Sequence, residues 1–149
     1  MEIIVDTREQ VPLFKKGVVV KKIDTGDYSF IDDGKDYSNE FAIEFKMPCD
    51  IFGTISKGHE RFNKELDRAQ DLKYFAIVIA ASRSSLNNKS FEGGYFIRKM
   101  KGPVLLKIID TIHMKRNIPI FMCNGRNEAK SQIKGLITAY LKQNDKTKD

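Results

Sequence analysis

Phe41-Ala42-Ile43-Glu44-Phe45-Lys46-Met47-Pro48 is the stretch on which the fold turns. Its aromatic and β-branched residues predict a strand, and Pro48 ends it. Side chains two apart on a strand share a face. Glu44 and Lys46 therefore project together, and Phe45 projects the other way. An unpaired carboxylate among apolar neighbours is costly. Glu44 thus reads as part of a site, with a solvated strand-end acid as the bland alternative.

Other strands are expected around this one. Ile3-Ile4-Val5 is a short buried strand ending at Asp6. Val18 to Ile23 is a second, and Tyr28 to Ile31, entered through Gly26-Asp27, is a third. Asp32-Asp33-Gly34-Lys35 is a turn. Tyr74 to Ala81 is the most apolar run and predicts a central strand buried on both faces. Ile118 to Cys123 contains Pro119 and predicts an edge strand.

Helices are expected between these strands. One is capped by Asp50 and begins at Ile51. Another runs from His59 to about Leu72. A third opens at Pro103, with Val104, Leu105, Ile108, Ile109 and Ile112 as its apolar stripe. The last spans Glu128 to Lys142. Ser82 to Lys101 reads as a long mobile loop with a short strand at Gly94 to Ile97. The layout predicts one α/β domain over residues 1–142, a central mixed β-sheet flanked by α-helices. Residues 143–149 read as a frayed polar tail.

Bulk properties narrow the class. The chain has 149 residues, enough for one domain with a real core. Hydrophobic residues at 41% and charged residues at 31% fit a soluble globular protein. A net charge of +6 favours a polyanionic partner. Cys49 and Cys123 lie far apart and read as core thiols of a reducing compartment. His59 and His113 have no partners at zinc-ligand spacing. His59 is a weak candidate neighbour of the site. No run is long enough to cross a bilayer and no signal peptide is apparent. A cytoplasmic location is the expectation, or nuclear in a eukaryote.

The acids suggest a chemistry. Asp27 and Glu44 fall on strands expected to be neighbours, where two carboxylates could hold a hard divalent cation. A backbone carbonyl beside Glu44 could add a ligand. Lys46 could orient water or stabilise negative charge, if its surroundings lower its pKa or fix its position. Such an acid, spacer, Glu-any-Lys pattern is the signature of the PD-(D/E)XK nucleases, and alone it arises often by chance.

Three motifs in order make the match more specific: Val5-Asp6-Thr7-Arg8-Glu9, Gly26-Asp27-Tyr28, and Glu44-Phe45-Lys46-Met47-Pro48-Cys49-Asp50. Together they resemble the nuclease domain of the XPF-type structure-specific endonucleases (XPF, Hef and the Mus-type relatives). Ser56 to Ala69, with Arg61-Phe62 and Glu65-Leu66-Asp67-Arg68-Ala69, resembles the helix that follows in that family. The resemblance covers Ile3 to Ala81.

The resemblance implies a restriction-endonuclease-like fold. It also implies Mg2+- or Mn2+-dependent hydrolysis of phosphodiester bonds in branched DNA, serving repair, recombination or replication. Asp27, Glu44 and Asp6 become metal ligands and Lys46 the catalytic lysine. Arg8 and Glu9 become further members of the site, and Asp50 a supporting acid behind the metal. Arg8, Arg61 and Lys64, with Lys89, Arg98, Lys99 and Lys101 of the Ser82–Lys101 stretch, are candidate DNA contacts. Phe91, Tyr95 and Phe96 interleave with these last cations, a mixture that suits DNA. Solvated charges are the plain alternative. A homodimer through the C-terminal helices is implied, with Ile133, Ile137 and Tyr140 serving core or interface.

Two departures stand out. The family's Glu-Arg-Lys is Glu44-Phe45-Lys46 here. Family members often carry a tandem helix-hairpin-helix domain or a helicase, and this sequence has neither. Substrate choice is then expected from the nuclease surface, a second copy or a DNA-targeting partner protein. Competing readings are an inactive DNA-binding or partner module of the same fold, and a Holliday junction resolvase or restriction-type nuclease.

Overall fold

A computed structural model describes residues 1–91 and 99–146. Seven strands form one mixed sheet: β1 (Glu2–Val5), β2 (Val18–Val20), β3 (Tyr28–Asp32), β4 (Lys35–Asp36), β5 (Phe41–Lys46), β6 (Tyr74–Ile79) and β7 (Ile120–Met122). Their order is β2-β1-β3-β5-β6-β7, with β4 paired to β3. β3 runs antiparallel to β1 and β5, while β5, β6 and β7 are mutually parallel. The helices are α1 (Pro48–Ser56), α2 (His59–Ala69), α3 (Arg83–Asn88), α4 (Gly102–Arg116) and α5 (Arg126–Lys146).

Alternation along β5 and β6 divides the core in two. Ala42, Phe75, Ile77 and Ile79 pack against α1 to α4. Phe41, Ile43, Phe45, Ala76 and Val78 pack against α5. Helices thus cover both faces, as the parallel β5-β6-β7 part of the sheet requires, and the apolar strand β6 and the edge strand β7 take their expected places. Asp33 and Gly34 both have positive φ, 49° and 76°, and join β3 to β4. A two-residue hairpin loop matching the twist of its strands needs that conformation at both positions.

Several boundaries differ from expectation for local reasons. α1 begins at Pro48, whose fixed φ suits a first helical turn. Asp50 therefore lies inside the helix rather than capping it, and Met47 occupies the cap. The expected long loop contains α3. The Ser82 hydroxyl accepts the Ser85 amide and so caps that helix, and Leu86 is buried beneath it. α5 continues to Lys146, past the expected end at Lys142. The short strand expected at Gly94 to Ile97, the Tyr95 and Phe96 rings, and Arg98 lie outside the described residues, as do residues 147–149. Cys123 is buried and Cys49 half-buried, and the two are not joined.

α5 resolves another alternative. Ile133 and Ile137 are fully buried against the sheet, so both belong to the core. Tyr140 packs among Phe30, Tyr37, Phe41 and Tyr74, and its hydroxyl donates to Glu40 at 2.8 Å. Ile133→Ala is expected to cost about 2–5 kcal/mol of stability through the cavity it leaves. Urea unfolding at two protein concentrations checks this. The loss should be the same at both, whereas a loss that grows on dilution would place Ile133 in an interface.

Candidate active site

The site is built where β3 and β5 part. Gly26 precedes Asp27 with φ +86°, and a Cβ there would stand 2.9 Å from the Ala42 Cβ and 3.1 Å from the Ile43 carbonyl oxygen. Glycine satisfies both the positive φ and the close approach. The Asp27 amide then donates to the Ile43 carbonyl at 2.8 Å, the last backbone bond observed between these two strands. One step further, the Phe45 amide donates to Asp27 Oδ2 at 2.7 Å. A side chain has taken the place of the next ladder bond. This carries the carboxylate across to β5, beside Glu44.

Glu44, Lys46, Asp27 and Arg8 line one cavity of about 140 Å3, with Asp24, Glu65 and Arg68 around it and Phe62, Leu66 and Phe75 as apolar walls. That is well above the room one ordered water needs. Glu44 is 7% exposed. Lys46 Nζ lies 3.2 Å from Glu44 Oε2.

The charges in this cavity strain one another. Burial raises the Asp27 carboxyl, and the Glu44 and Glu9 charges raise it further, to about 9. Burial likewise raises Glu44, against the pull of Lys46 and with a push from Glu65 and Glu9. Burial disfavours the Lys46 ammonium, but the Glu44 charge and hydrogen bond overcome this and hold its pKa above the usual value. Of the two conditions for Lys46, a lowered pKa or a fixed position, the ion pair with Glu44 bears on the second.

The donor set fits a hard divalent cation better than a structural zinc ion. Among the described residues no group of three or more His, Cys, Asp or Glu is arranged to hold a metal. Mg2+ is commonly held by one or two carboxylates, completed by waters and substrate phosphate. Asp27 and Glu44 are two such carboxylates; burial first, and neighbouring acids second, raise both, and a bound cation would act in the opposite sense. The Phe45 carbonyl leaves β5 on the same side as its amide, toward Asp27.

Asp6 is placed beside this cavity without lining it. Its amide donates to the Asp27 carbonyl at 2.9 Å. Its carboxylate accepts the Ile23 amide at 2.9 Å, the Arg8 amide at 3.1 Å and Arg8 Nε at 2.6 Å. Burial alone would raise Asp6, but the Arg8 side chain and the two amides outweigh it and hold the carboxyl below its ordinary value. Asp6 therefore ties the turn at residues 6–9 to Ile23 and aims Arg8. Glu9 accepts the Tyr28 hydroxyl at 3.0 Å. With Arg8 it lines a second cavity that also contains Phe45, Met47, Asp50 and Arg126. Asp50 is thus exposed on that second wall and not in the acidic cavity.

Of the remaining candidates, Arg61 lies 3.8 Å from Glu65 on α2 and lines a groove with Lys46. Lys64 is exposed on the same helix. Lys89 ends α3 with its amine 5.2 Å from the Phe52 ring centre, and Lys99 and Lys101 precede α4. None of these last three lines the acidic cavity. His59 Nδ1 lies 3.0 Å from the Ser56 carbonyl oxygen, on the surface. Glu65 and Arg68, part of the helix motif quoted from the sequence, are not among the site residues expected from it. Their signal is spacing: with Phe62, Leu66 and Ala69 facing the core, positions 61, 65 and 68 border that buried stripe.

No family model and no curated protein sequence matches the chain. Solved structures do. XPF from Aeropyrum pernix superposes with a TM-score of 0.69 at 16% identity, over 94% of this chain and 61% of that one. The same protein in complex with DNA superposes with a TM-score of 0.63 at 19% identity, over 95% of this chain and 66% of that one. This chain therefore has the fold found in XPF and spans less than two thirds of the XPF chains it matches.

The raised Asp27 pKa has a consequence for stability without metal. The folded chain keeps a proton that the unfolded chain releases above the ordinary carboxylate range. Stability should therefore fall as pH rises toward about 9. Thermal melts in chelator from roughly pH 5 to pH 9 should show that decline, and Asp27→Asn should flatten it. A parent profile as flat as the variant's would refute the coupling.

Proposed function

We propose that the chain is a divalent-metal-dependent DNA endonuclease that hydrolyses phosphodiester bonds in branched DNA, such as flaps, forks or Holliday junctions. The observation that carries this reading is the meeting of Asp27, Glu44 and Lys46 in one cavity, with Asp27 held across the strand gap by the Phe45 amide. The likeness in fold to XPF, one of whose structures contains DNA, supports it. The basic charge of +6 suits the same substrate.

In this proposal Asp27 and Glu44 hold Mg2+ or Mn2+. When bound, such an ion neutralises phosphate charge and lowers the pKa of its water. Lys46, held as an ammonium by Glu44, donates to a phosphate oxygen or to the attacking water and fixes its position. Arg8, aimed by Asp6, pairs with a phosphate at the cavity rim. Asp6 itself positions Arg8 and the turn. The biological setting proposed is repair, recombination or replication, in whichever compartment holds the DNA. Among the described residues no helix is long and apolar enough to cross a membrane.

The reading also includes a homodimer. Ile133 and Ile137 are used up in the core, so the edge strand β7 and the neighbouring α4 are the better surface. Val104 is 47% exposed there, and Ile108, Ile112 and Phe121 are half-buried. Light scattering at micromolar concentration is expected to give twice the chain mass of 17.1 kDa. A clean monomer would remove the dimer from the proposal.

Cleavage of labelled flap, fork, junction and linear duplex DNA tests the main reading. Cutting should require Mg2+ or Mn2+ and stop in chelator. Glu44→Ala and Lys46→Met should each lower the rate by at least about a hundredfold, the scale of losing one transition-state contact. Metal-independent cutting, or equal activity in the variants, would overturn the site. Symmetric cutting of four-way junctions alone would favour a resolvase. No cutting of any substrate would favour a DNA-binding or partner module of this fold.

A further inference from the structure

The first half of α5 carries Arg126, Lys130 and Lys134, one cation every four residues. That spacing stacks them along one side of the helix, each step rising about 6 Å. The arrangement opposes helix stability twice over. Like charges at i and i+4 repel. Cations in the first turns also meet the positive end of the helix dipole.

A row of rings lies under these cations, and the Arg126 guanidinium also donates to the Val11 carbonyl at 2.9 Å and the Pro12 carbonyl at 3.4 Å. The Arg126 guanidinium lies 5.9 Å from the Phe45 ring centre, and the Lys130 and Lys134 amines lie 5.6 Å and 5.9 Å from that of Phe14. Tyr28 links the two rings by edge contacts at 5.4 Å and 6.3 Å. All three rings are buried. They fix the direction of the cations while leaving their charge unneutralised. Among the described residues no salt bridge joins Arg126, Lys130 or Lys134 to a carboxylate.

The row leads to the acidic cavity. Arg126 and Arg8 wall one hollow of about 440 Å3 over Phe45, and Arg8 also lines the cavity of Asp27 and Glu44. Glu9 and Asp50 on the same wall are the acids that oppose it. At the far end Phe14 is followed by exposed Lys15 and Lys16.

We infer that Arg8, Arg126, Lys130 and Lys134 form a track for the phosphate backbone of a DNA duplex arm leading away from the acidic cavity. The identity of that cavity rests on the nuclease reading above, whereas the track itself needs only DNA binding. Phosphates would relieve the repulsion that the helix otherwise carries. Because the rings are buried, they offer no platform on which bases could stack, so a duplex backbone fits better than a stacked single strand. Phosphate contacts place DNA without reading its sequence.

The test measures binding without cutting. Fluorescence anisotropy of labelled fork DNA with the full chain, in chelator across a potassium chloride series, gives the slope of log affinity against log salt. Lys130→Gln with Lys134→Gln should make that slope shallower by about 1.8, or about 0.9 per lost phosphate contact. Lys130→Arg with Lys134→Arg should keep the parent slope, which separates charge from folding. Lys107→Gln with Lys115→Gln on α4 changes the net charge equally and should also keep it. An unchanged slope in the glutamine variant, or an equal drop in the α4 variant, would overturn the track. Metal-dependent cutting with an unchanged slope would sink the track alone. Absence of cutting with a shallower slope would sink the nuclease reading and leave the track standing.

Discussion

The bond from the Phe45 amide to the Asp27 carboxylate organises the site. β3 and β5 hydrogen-bond through Asp27 and Ile43 and then part. In a continuing ladder the Asp27 side chain would stand normal to the sheet instead of accepting the Phe45 amide. A side-chain acceptor in place of a backbone carbonyl keeps the Phe45 amide satisfied while opening the gap. Gly26 makes this affordable in steric terms, since any Cβ there would collide with Ala42. The position of Glu44 follows from the same strand: Phe45 is turned toward α5, so Glu44 and Lys46 face α2.

Charge balance then explains the character of the cavity. Asp27, Glu44, Glu9 and Glu65 act on one another, with Lys46 the amine paired to Glu44 at close range. Burial first, and the neighbouring carboxylates second, hold the Asp27 and Glu44 carboxyls above their ordinary values. Asp6 shows the contrast. Its side chain is closed off from solvent at 1% exposure, but three donors from Arg8 and Ile23 satisfy it and outweigh burial, so its pKa falls. Two acids on neighbouring strand ends therefore have opposite electrostatic fates. Only the strained one faces the cavity.

What could be read from the sequence follows the range of the interactions involved. Strand alternation is local, so the shared face of Glu44 and Lys46 was legible, as was the turn that presents Asp27. The central strand and the proline-bearing edge strand were legible for the same reason. The fate of Asp6 was not, because it depends on the Ile23 amide, seventeen residues away and fixed only when the loop folds back. Glu65 needed the docking of α2 against the sheet. α3 was hidden because serines and asparagines read as loop, although Ser82 acts as its cap. The core role of Ile133 and Ile137 needed the sheet face that α5 covers.

Phe45 is where composition and geometry are best weighed together. The resemblance to XPF-type enzymes expects an arginine between the glutamate and the lysine. Strand geometry turns that position away from Glu44, so its loss removes no ligand from the cavity. Phe45 is 7% exposed and touches Tyr28, which continues the aromatic row to Phe14. The guanidinium of Arg126 stands over its ring and donates to the Val11 carbonyl at 2.9 Å. A positive group thus occupies the hollow toward which residue 45 points, supplied by α5 instead of β5. This couples the helix to the strand that carries the site: moving α5 would move both the cation and the ring packing behind Glu44. The charge beside residue 45 thus comes from a helix start, and the Asp27–Glu44–Lys46 geometry stays where β5 puts it.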